Sequence, residues 1–167
     1  MPAAVVRRCE DDDWGDVRRL HIRLALQFPM VVDVDLNKVF ATPDAFWQNF
    51  VRRCARDGDQ AIFVALAGGT CCGMGHVALE GVLARMDLVF VDGAMRRQGI
   101  GTALVEALER WARSAGATEV IGYVSDASAG GDLAAALGWQ RTDDVSATTH
   151  ALTEYKWIAT AEGHRAT

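Results

Sequence analysis

The part of this chain best suited to chemistry is a short loop that carries two arginines and two glycines. It runs from Arg96 to Thr102, between an apolar strand and a long amphipathic helix, with glycines at positions 99 and 101. Glycine has no β-carbon to hold a ligand away from the backbone, and the first amides of a helix lack partners and lie at its positive end. The sequence therefore predicts a site for an anion such as a diphosphate, with Arg96 and Arg97 adding positive charge at its rim.

Two familiar phosphate-binding motifs do not match this loop. A P-loop requires a lysine directly after its last glycine, and this loop contains no lysine. The dinucleotide-binding fingerprint requires a third glycine where this chain has Leu104, and it opens the first strand–helix unit of its domain, whereas this loop comes late in the chain. The sequence therefore predicts neither a P-loop nor a dinucleotide-binding domain.

The elements around the loop follow from hydrophobic periodicity. Apolar residues that repeat every three or four positions predict four helices, over residues 14–28, 43–57, 99–115 and 131–137. Seven strands are predicted over residues 4–9, 61–66, 71–79, 83–91, 119–124, 139–145 and 149–157, and residues 29–41 are predicted to form a loop. Because helices connect some of these strands, we expect a mixed α/β protein with some parallel pairing at the centre of its sheet.

Two of the helices carry predictions about individual side chains. In the second helix we expect Thr42 to cap the N-terminus, with Phe46, Phe50 and Cys54 facing the core. In the long helix Glu109 is among the charged residues expected to lie away from the apolar face. That face is predicted to consist of Ile100, Ala103, Leu104, Ala107, Leu108 and Trp111.

Composition excludes several classes of protein. The chain has 167 residues, of which 50% are hydrophobic and 23% charged, and its net charge is −5; a sequence-independent nucleic-acid binder would carry a basic excess. The four cysteines have no spacing that suggests zinc, so we predict buried thiols and no metal. Residues 60–79 contain no charged side chain, but the glycines within them favour a hairpin over a membrane helix.

The N-terminus shows no apolar core of the kind that a secretory signal has. We therefore predict a soluble, cytoplasmic protein that binds neither nucleic acid nor membrane. With only three prolines and no linker, we expect a single domain over residues 1–157 and a flexible tail over residues 158–167.

The loop resembles the acyl-CoA-binding motif of the GNAT superfamily of N-acetyltransferases, which is Arg/Gln-x-x-Gly-x-Gly/Ala between a strand and a long helix. The stretch Arg96-Arg97-Gln98-Gly99-Ile100-Gly101 satisfies this pattern, and Leu137-Gly138-Trp139 stands where the family usually has Leu-Gly-Phe. The resemblance extends from Val5 to about Trp157. It implies a GNAT-like central sheet, mixed but mostly antiparallel, of about seven strands flanked by about four helices.

The resemblance also implies a co-substrate and a reaction. An amine would attack the acetyl thioester of acetyl-CoA directly, with no metal. The main chain of Val89, Phe90 and Val91 would bond the pantetheine arm, and the amides from Arg97 to Thr102 would hold the pyrophosphate. The cofactor-binding residues predicted in this way are Val89, Phe90, Val91, Arg96, Arg97, Gln98, Gly99, Ile100, Gly101 and Thr102.

Such a reaction needs a base, because an alkyl amine with a pKa near ~10 is only about one part in a thousand neutral at pH 7. The candidates are Glu80, at the end of the hairpin, and Asp87, on the strand that leads to the loop. By the two-residue period of a strand, Asp87 is expected to share a face with Arg85, Val89 and Val91. His76 has the same parity as Glu80, so these two residues could relay a proton.

The proton donor for the thiolate leaving group is where the chain departs from the family pattern. Many members carry a tyrosine on the short helix, four residues before the Gly-Phe step, and this chain has Ala134 there. Its nearest polar replacements are Ser125, Asp126 and Ser128. The alternatives are donation by Tyr123 or Tyr155, donation by water, or departure of the thiolate without help, and Tyr123 is our candidate.

The resemblance places the acceptor against the first two helices and their connection, from Phe28 to Trp47. Apolar surface there would come from Met30, Phe40, Phe46 and Trp47, and negative charge from Asp33 and Asp35. Such a wall suits an amine, and the sequence does not choose among an antibiotic-like compound, a polyamine, an amino acid and a peptide N-terminus.

Three functions remain open from the sequence. The first is an acetyl-CoA-dependent N-acetyltransferase that acts on a primary amine of a small molecule or a peptide. The second is a non-catalytic acyl-CoA-binding sensor, which the missing tyrosine favours. The third is a protein-modifying subunit that works only with a partner chain. Many relatives pair through late strands, so the resemblance also allows a homodimer.

Overall fold

The computed structural model describes residues 4–28, 36–125, 128–149 and 152–159. Helices α1 to α5 are Trp14–Gln27, Leu36–Ala41, Asp44–Arg56, Ile100–Ser114 and Gly130–Ala136. Strands β1 to β7 are Val5–Arg8, Gln60–Ala67, Thr70–Glu80, Leu83–Val91, Glu119–Ser125, Gln140–Thr149 and Leu152–Ile158. All the predicted strands and helices are present, and the six-residue α2 is an additional helix in the segment that was expected to be a loop.

The strands form one seven-stranded sheet in the order β1-β2-β3-β4-β5-β7-β6. Every neighbouring pair is antiparallel except β4 and β5. These two are parallel because α4 carries the chain from the end of β4 back to the start of β5. The predicted sheet, mixed but mostly antiparallel, is therefore confirmed, and the parallel pair found among the described strands includes β4, the strand that leads into the loop.

Helices cover both faces of the sheet, and α4 approaches one of them closely. On this face Leu108 of α4 packs with Val77 and Met86 of the sheet. Glycine in β3 permits the approach, since a β-carbon on Gly75 would lie 2.6 Å from Leu108 Cδ1. The opposite face is covered by α1 and α3, whose buried side chains include Leu20, Trp47 and Val51. We call these two faces the α4 face and the α1–α3 face.

One of the three residues that were predicted to face the core from α3 does not do so: Phe46 is 54% exposed. Cys54 is buried and Phe50 packs partly buried against the core, as predicted, and Trp47 and Val51 are buried beside them. The cap also differs: Pro43 occupies the position before the helix, and the Thr42 hydroxyl donates instead to the Lys38 carbonyl at 2.7 Å. Trp47 and Val51 are spaced by four residues like Phe46 and Phe50, so periodicity alone could not choose between the two phases.

Glu109 of α4 is buried, although it was expected to lie away from the apolar face. The buried stripe is wider than predicted, because Val105 and Ala112 are also buried and Glu109 lies between them at helical spacing. Its carboxylate is 3.6 Å from the Arg113 guanidinium one turn later.

The domain end predicted at residue 157 leaves out a buried residue. Ala159 is buried, and its amide donates to the Val120 carbonyl at 2.9 Å. Residues 160–167, which make up most of the predicted tail, lie outside the described residues.

The cysteines are buried free thiols, as predicted. Burial raises the pKa of Cys9 and Cys71 to about 11 and that of Cys54 to about 12, so these sulfurs stay protonated at neutral pH. Within the described residues, no group of three or more His, Cys, Asp or Glu side chains could hold a metal ion. No helix in that same part of the chain has the length and apolar character needed to cross a membrane.

Candidate functional site

The two parallel strands separate halfway along their length. β4 and β5 pair only from Leu83 with Glu119 to Met86 with Gly122. Beyond this point, in the described part of the chain, β4 pairs only with β3, and β5 pairs only with β7. The main chain of residues 87–91 therefore faces a gap on its β5 side. An extended ligand in this gap could bond to β4 in the manner of an added strand.

A β-bulge at Asp87 coincides with the separation. β3 pairs His76 with Leu88 and Val77 with Met86, so Asp87 is the extra residue on β4. Because the bulge reverses the alternation of side chains, Met86 and Val89 both pack on the α4 face. Asp87 shares a face with Arg85, as expected, but the prediction that it also shares that face with Val89 and Val91 is wrong.

The loop after β4 presents a run of unpaired main-chain amides. The Arg96 amide donates to the Gly93 carbonyl at 3.4 Å, and the Ala103 amide opens the ladder of α4 by donating to the Gly99 carbonyl at 3.0 Å. Between them, the amides of residues 97–102 donate to no acceptor among the residues that the structure describes. Such donors at the positive end of a helix form an anion site.

The two loop glycines have different roles. Gly99 caps α4 with φ of 78°, and a β-carbon there would meet no heavy atom within 4 Å. The backbone at 99 therefore favours glycine, and the space in front of it is open. A β-carbon on Gly101 would lie 3.3 Å from Leu133 Cδ2 of α5. Gly101 therefore permits α5 to pack on α4, a role that the sequence did not suggest.

The two loop arginines also differ, although both were expected at the rim of the anion site. Arg96 Nε donates to the Val91 carbonyl at 2.9 Å, and an Arg96 Nη donates to Gln27 Oε1 at 2.8 Å. Its guanidinium is therefore held against β4 and α1. Arg97, with φ of 62°, makes no hydrogen bond or ion pair with any described residue. The charge that remains available at the rim is that of Arg97.

The candidate bases belong to one group of ion pairs. Arg85 lies between them, with an Nη atom 2.8 Å from Glu80 Oε1 and Nε 2.7 Å from Asp87 Oδ1. His76 Nδ1 lies 3.5 Å from Asp87 Oδ2. His76 was expected to relay a proton with Glu80. In the structure its charged neighbour is Asp87 instead. Of the two carboxylates, only Asp87 is located where β4 leaves β5.

The charge state of Asp87 follows from these contacts. Burial alone would raise the pKa of its carboxyl group, but His76 and the Arg85 guanidinium outweigh that effect, and the pKa lies below its ordinary value. The Asp87 side chain is still 38% exposed. A half-buried carboxylate that is ionised at neutral pH can attract an ammonium group to the gap.

Tyr123, the candidate proton donor, lies on the neighbouring strand β5. Arg85 pairs with Ile121, and Tyr123 is two residues further along β5, so its side chain is on the same face of the sheet as Arg85. The phenol is partly exposed and close enough to influence the Arg85 guanidinium electrostatically. The structure therefore brings Glu80, Asp87 and Tyr123 to one face of the sheet, with Arg85 among them.

Aromatic rings from α3 lie beside this group. Phe46 and Trp47 meet edge to face with their ring centroids 5.5 Å apart, and the Phe50 ring is 5.6 Å from His76. Phe40 of α2 is exposed. Of the residues assigned to the predicted acceptor wall, Phe40, Phe46 and Trp47 lie within the described part of the chain. Met30, Asp33 and Asp35, which were also assigned to it, lie outside the described residues.

His21 of α1 belongs to the same group and was not predicted from its place in the sequence. Its ring centroid lies 5.0 Å from that of Trp47, and its Nδ1 is 3.1 Å from the Val17 carbonyl. Burial lowers the pKa of His21 to about 4, so the imidazole is neutral at physiological pH. Its spacing of four residues from Val17 on the apolar stripe of α1 is the signal that could have revealed it.

The positions that replace the family's tyrosine offer no clear donor. Ala134 of α5 is buried in the core, and the Ser128 hydroxyl accepts a hydrogen bond from the Gly130 amide at 3.3 Å. Asp126 lies outside the described residues, as do the side chains of Ser125 and Tyr155. Of the two candidate tyrosines, Tyr123 is therefore the one whose side chain lies within the described part of the chain.

Comparisons with known proteins found a family model and several solved structures that are similar to this chain. The sequence model of the acetyltransferase (GNAT) family matches residues 31–139. No curated protein matches the chain significantly. Among solved structures, PaiA N-acetyltransferase from Thermoplasma acidophilum, in complex with coenzyme A, is 14% identical with a TM-score of 0.76, and the match covers 93% of this chain and 98% of PaiA.

Two further structures are similar over nearly the whole chain. YncA from Salmonella typhimurium, solved with its cofactor acetyl-CoA, is 16% identical with a TM-score of 0.72, and the match covers 99% of this chain and 98% of YncA. A ribosomal-protein-alanine N-acetyltransferase from Brucella melitensis is 17% identical with a TM-score of 0.71, and the match covers 92% of this chain and 98% of that protein. These likenesses establish the same fold.

Proposed function

The chain belongs to the acetyltransferase (GNAT) family, and from that premise we propose that it transfers the acetyl group of acetyl-CoA to a primary amine of a small molecule or a peptide. The observation that supports this most strongly is the gap beside residues 87–91 of β4, which leads directly to the free amides of residues 97–102. Acetyl-CoA has a long pantetheine arm and a charged pyrophosphate, so its binding needs the gap for the arm and the free amides for the pyrophosphate, one directly after the other.

The proposed cofactor site uses the main chain more than side chains. The pyrophosphate lies on the free amides from Arg97 to Thr102, with the Arg97 guanidinium beside it. The pantetheine arm lies in the gap, along the main chain of Val89, Phe90 and Val91. The relatives solved with coenzyme A and with acetyl-CoA support this choice of ligand. The helix dipole contributes only about 0.3–1 kcal/mol, so several amide hydrogen bonds supply most of the affinity.

The proposed reaction is direct attack by the amine. An acceptor ammonium first loses a proton, and at pH 7 this costs roughly 4 kcal/mol for an alkyl amine. The neutral nitrogen then attacks the acetyl carbonyl carbon, the C–N bond forms, and the C–S bond breaks. The products are the amide and the thiol of coenzyme A, and one proton passes to solvent.

Asp87 is the base in this proposal, in preference to Glu80. Asp87 lies at the bulge where the gap opens, and Arg85 and His76 hold its carboxylate in place. Glu80 is 55% exposed and is linked to the site only through Arg85. A positioned base typically contributes about 10²–10⁴-fold in rate. Tyr123, on the opposite side of the gap, donates the proton that the thiolate requires.

The acceptor in this proposal lies against α1 and α3, between the aromatic rings and Asp87. Apolar rings next to an ionised carboxylate suit an amine that carries a hydrocarbon or aromatic group. The alternative of a non-catalytic acyl-CoA sensor retains one supporting observation, which is the buried Ala134 in place of the family's tyrosine.

The test is release of coenzyme A thiol from acetyl-CoA with a panel of amines, comprising a polyamine, an aminoglycoside, free amino acids and short peptides. We expect thiol release that depends on one class of amine. Asp87→Asn should lower the rate by about 10²-fold or more, whereas the matched variant Glu80→Gln should change it by less than about threefold. Binding of acetyl-CoA without thiol release from any amine would favour the sensor and overturn the proposal.

A further inference from the structure

Arg96, the first residue of the glycine motif, has a side chain directed away from the free amides. Its guanidinium donates to the Val91 carbonyl at the end of β4 and to the side chain of Gln27 at the end of α1. It also lies over two phenyl rings, 5.9 Å from the centroid of Phe28 and 5.8 Å from that of Phe90. One side chain therefore joins the strand that enters the loop to a helix 69 residues earlier in the chain.

The helix that Arg96 holds, α1, also carries His21 of the aromatic group. Phe28 closes the helix, with its amide donating to the Leu24 carbonyl at 2.9 Å. A second contact runs beside the first, from Arg23 to Asp92 at 2.6 Å. The two contacts connect the C-terminal part of α1 to Asp92, just after β4, and to Arg96 at the start of the loop. A shift of the loop would therefore be transmitted to this part of α1.

The neighbouring arginine shows that the orientation of Arg96 is specific to it. Arg97 has the same charge, but it makes no hydrogen bond or ion pair with any residue in the described ranges. Arg97 is thus available to a phosphate, while the planar fork of Arg96 is occupied by two acceptors and two rings.

We infer that Arg96 is a positioning residue that couples the cofactor loop to the last turn of α1, one of the two helices against which the acceptor is proposed to lie, so that binding of coenzyme A at the loop orders this turn. The nature of the ligand at the loop rests on the proposed function. The coupling is reciprocal, because a ligand that stabilises one arrangement of both segments must be stabilised by it.

The test is hydrogen–deuterium exchange of the full chain with and without coenzyme A, read at the peptide that covers residues 23–28. In the wild type we expect saturating coenzyme A to slow exchange at this peptide by about tenfold, within the usual range of coupling factors. In Arg96→Ala the slowing at residues 23–28 should be lost, while coenzyme A still protects residues 97–102.

Arg97→Ala is the matched control, since it removes the same charge one residue away. We expect it to weaken coenzyme A affinity by about tenfold but, at saturating coenzyme A, to keep the slowing at residues 23–28. Gln27→Ala removes only the α1 end of the contact, leaves the loop intact, and should also lose the slowing. Slowing retained in both Arg96→Ala and Gln27→Ala would overturn the inference. An affinity loss in Arg96→Ala as large as that in Arg97→Ala would do the same, because it would place Arg96 on the cofactor.

A measurement without ligand separates this inference from the proposed function. In the absence of coenzyme A, exchange at residues 23–28 should be faster in Arg96→Ala than in the wild type by about fivefold or more, whereas Arg97→Ala should match the wild type. Equal exchange in Arg96→Ala and wild type would contradict the coupling. If the wild type did not bind coenzyme A at all, the proposed function would fail, and the ligand-free comparison would still decide the role of Arg96.

Discussion

Substitutions of Gly99 test two properties of this position separately: its left-handed backbone conformation and its place next to the proposed pyrophosphate. Its φ of 78° is left-handed, and a β-carbon would meet no heavy atom within 4 Å. Gly99→Ala should therefore cost only the backbone strain of an L-residue, about 1–2 kcal/mol. Gly116, at the other end of α4, has φ of 100° and equally open surroundings. Gly116→Ala should therefore lose a similar amount of stability by the same mechanism.

A glutamate at position 99 adds charge next to the proposed pyrophosphate. Two unit charges 4 Å apart repel by about 1 kcal/mol in water and by about 4 kcal/mol at the effective dielectric constant of a protein surface. Gly99→Glu should therefore weaken coenzyme A binding by between about fivefold and about a thousandfold. Gly116→Glu carries the same strain and charge about 25 Å away along α4, and its affinity should equal that of the wild type.

The assay is isothermal titration of coenzyme A into each folded variant, with stability measured in parallel by denaturant unfolding. Gly99 is a cleaner position for this test than Gly101, because a side chain at 101 would also strike Leu133. Wild-type affinity in Gly99→Glu would refute the assignment of the loop. An equal loss in Gly116→Glu would show that strain or net charge, and not the local site, weakens binding.

Three further predictions concern packing, pH and the leaving group. Gly75→Ala should lower the free energy of unfolding by about 1–3 kcal/mol, because its β-carbon would lie 2.6 Å from Leu108 Cδ1. Gly15→Ala is the control: Gly15 lies on α1 with open surroundings, so this substitution should not lower the free energy of unfolding. Between pH 6.5 and pH 4 the unfolded state binds a proton at His21, whereas the folded state, in which the His21 pKa is about 4, does not. The free energy of unfolding should therefore fall by up to about 3 kcal/mol as the pH drops through this range. Denaturant unfolding at both ends of the range should show a smaller fall in His21→Gln. Tyr123→Phe should lower kcat by about a hundredfold or more with little change in coenzyme A affinity, and an unchanged kcat would exclude it as the donor.

The strands and helices around the loop could be predicted because their signals are local. The strand over residues 83–91, the glycines at 99 and 101 and the apolar face of the long helix all lie within about thirty consecutive positions. The end of the long helix follows from the same local rules, because a glycine with a positive φ, here Gly116, commonly follows the last turn of a helix.

What could not be predicted depends on contacts between distant segments. The bulge at Asp87 is a property of the pairing between β3 and β4, and a strict two-residue period cannot express it. The side-chain partner of Arg96, Gln27, is 69 residues away in the chain. The residues around Arg96 therefore did not indicate that its side chain is directed away from the proposed phosphate site. The phase of α3 was decided by the sheet that it covers, which buries Trp47 in place of Phe46.

The most direct test of the cofactor site is a titration of the isotopically labelled chain with coenzyme A, followed by amide nuclear magnetic resonance. If a pyrophosphate accepts hydrogen bonds from the free donors of the loop, the amides of residues 97–102 should move downfield together, and those of residues 89–91 should shift at the same ligand concentrations. Shifts confined to other parts of the chain, or none at millimolar coenzyme A, would contradict the site described here.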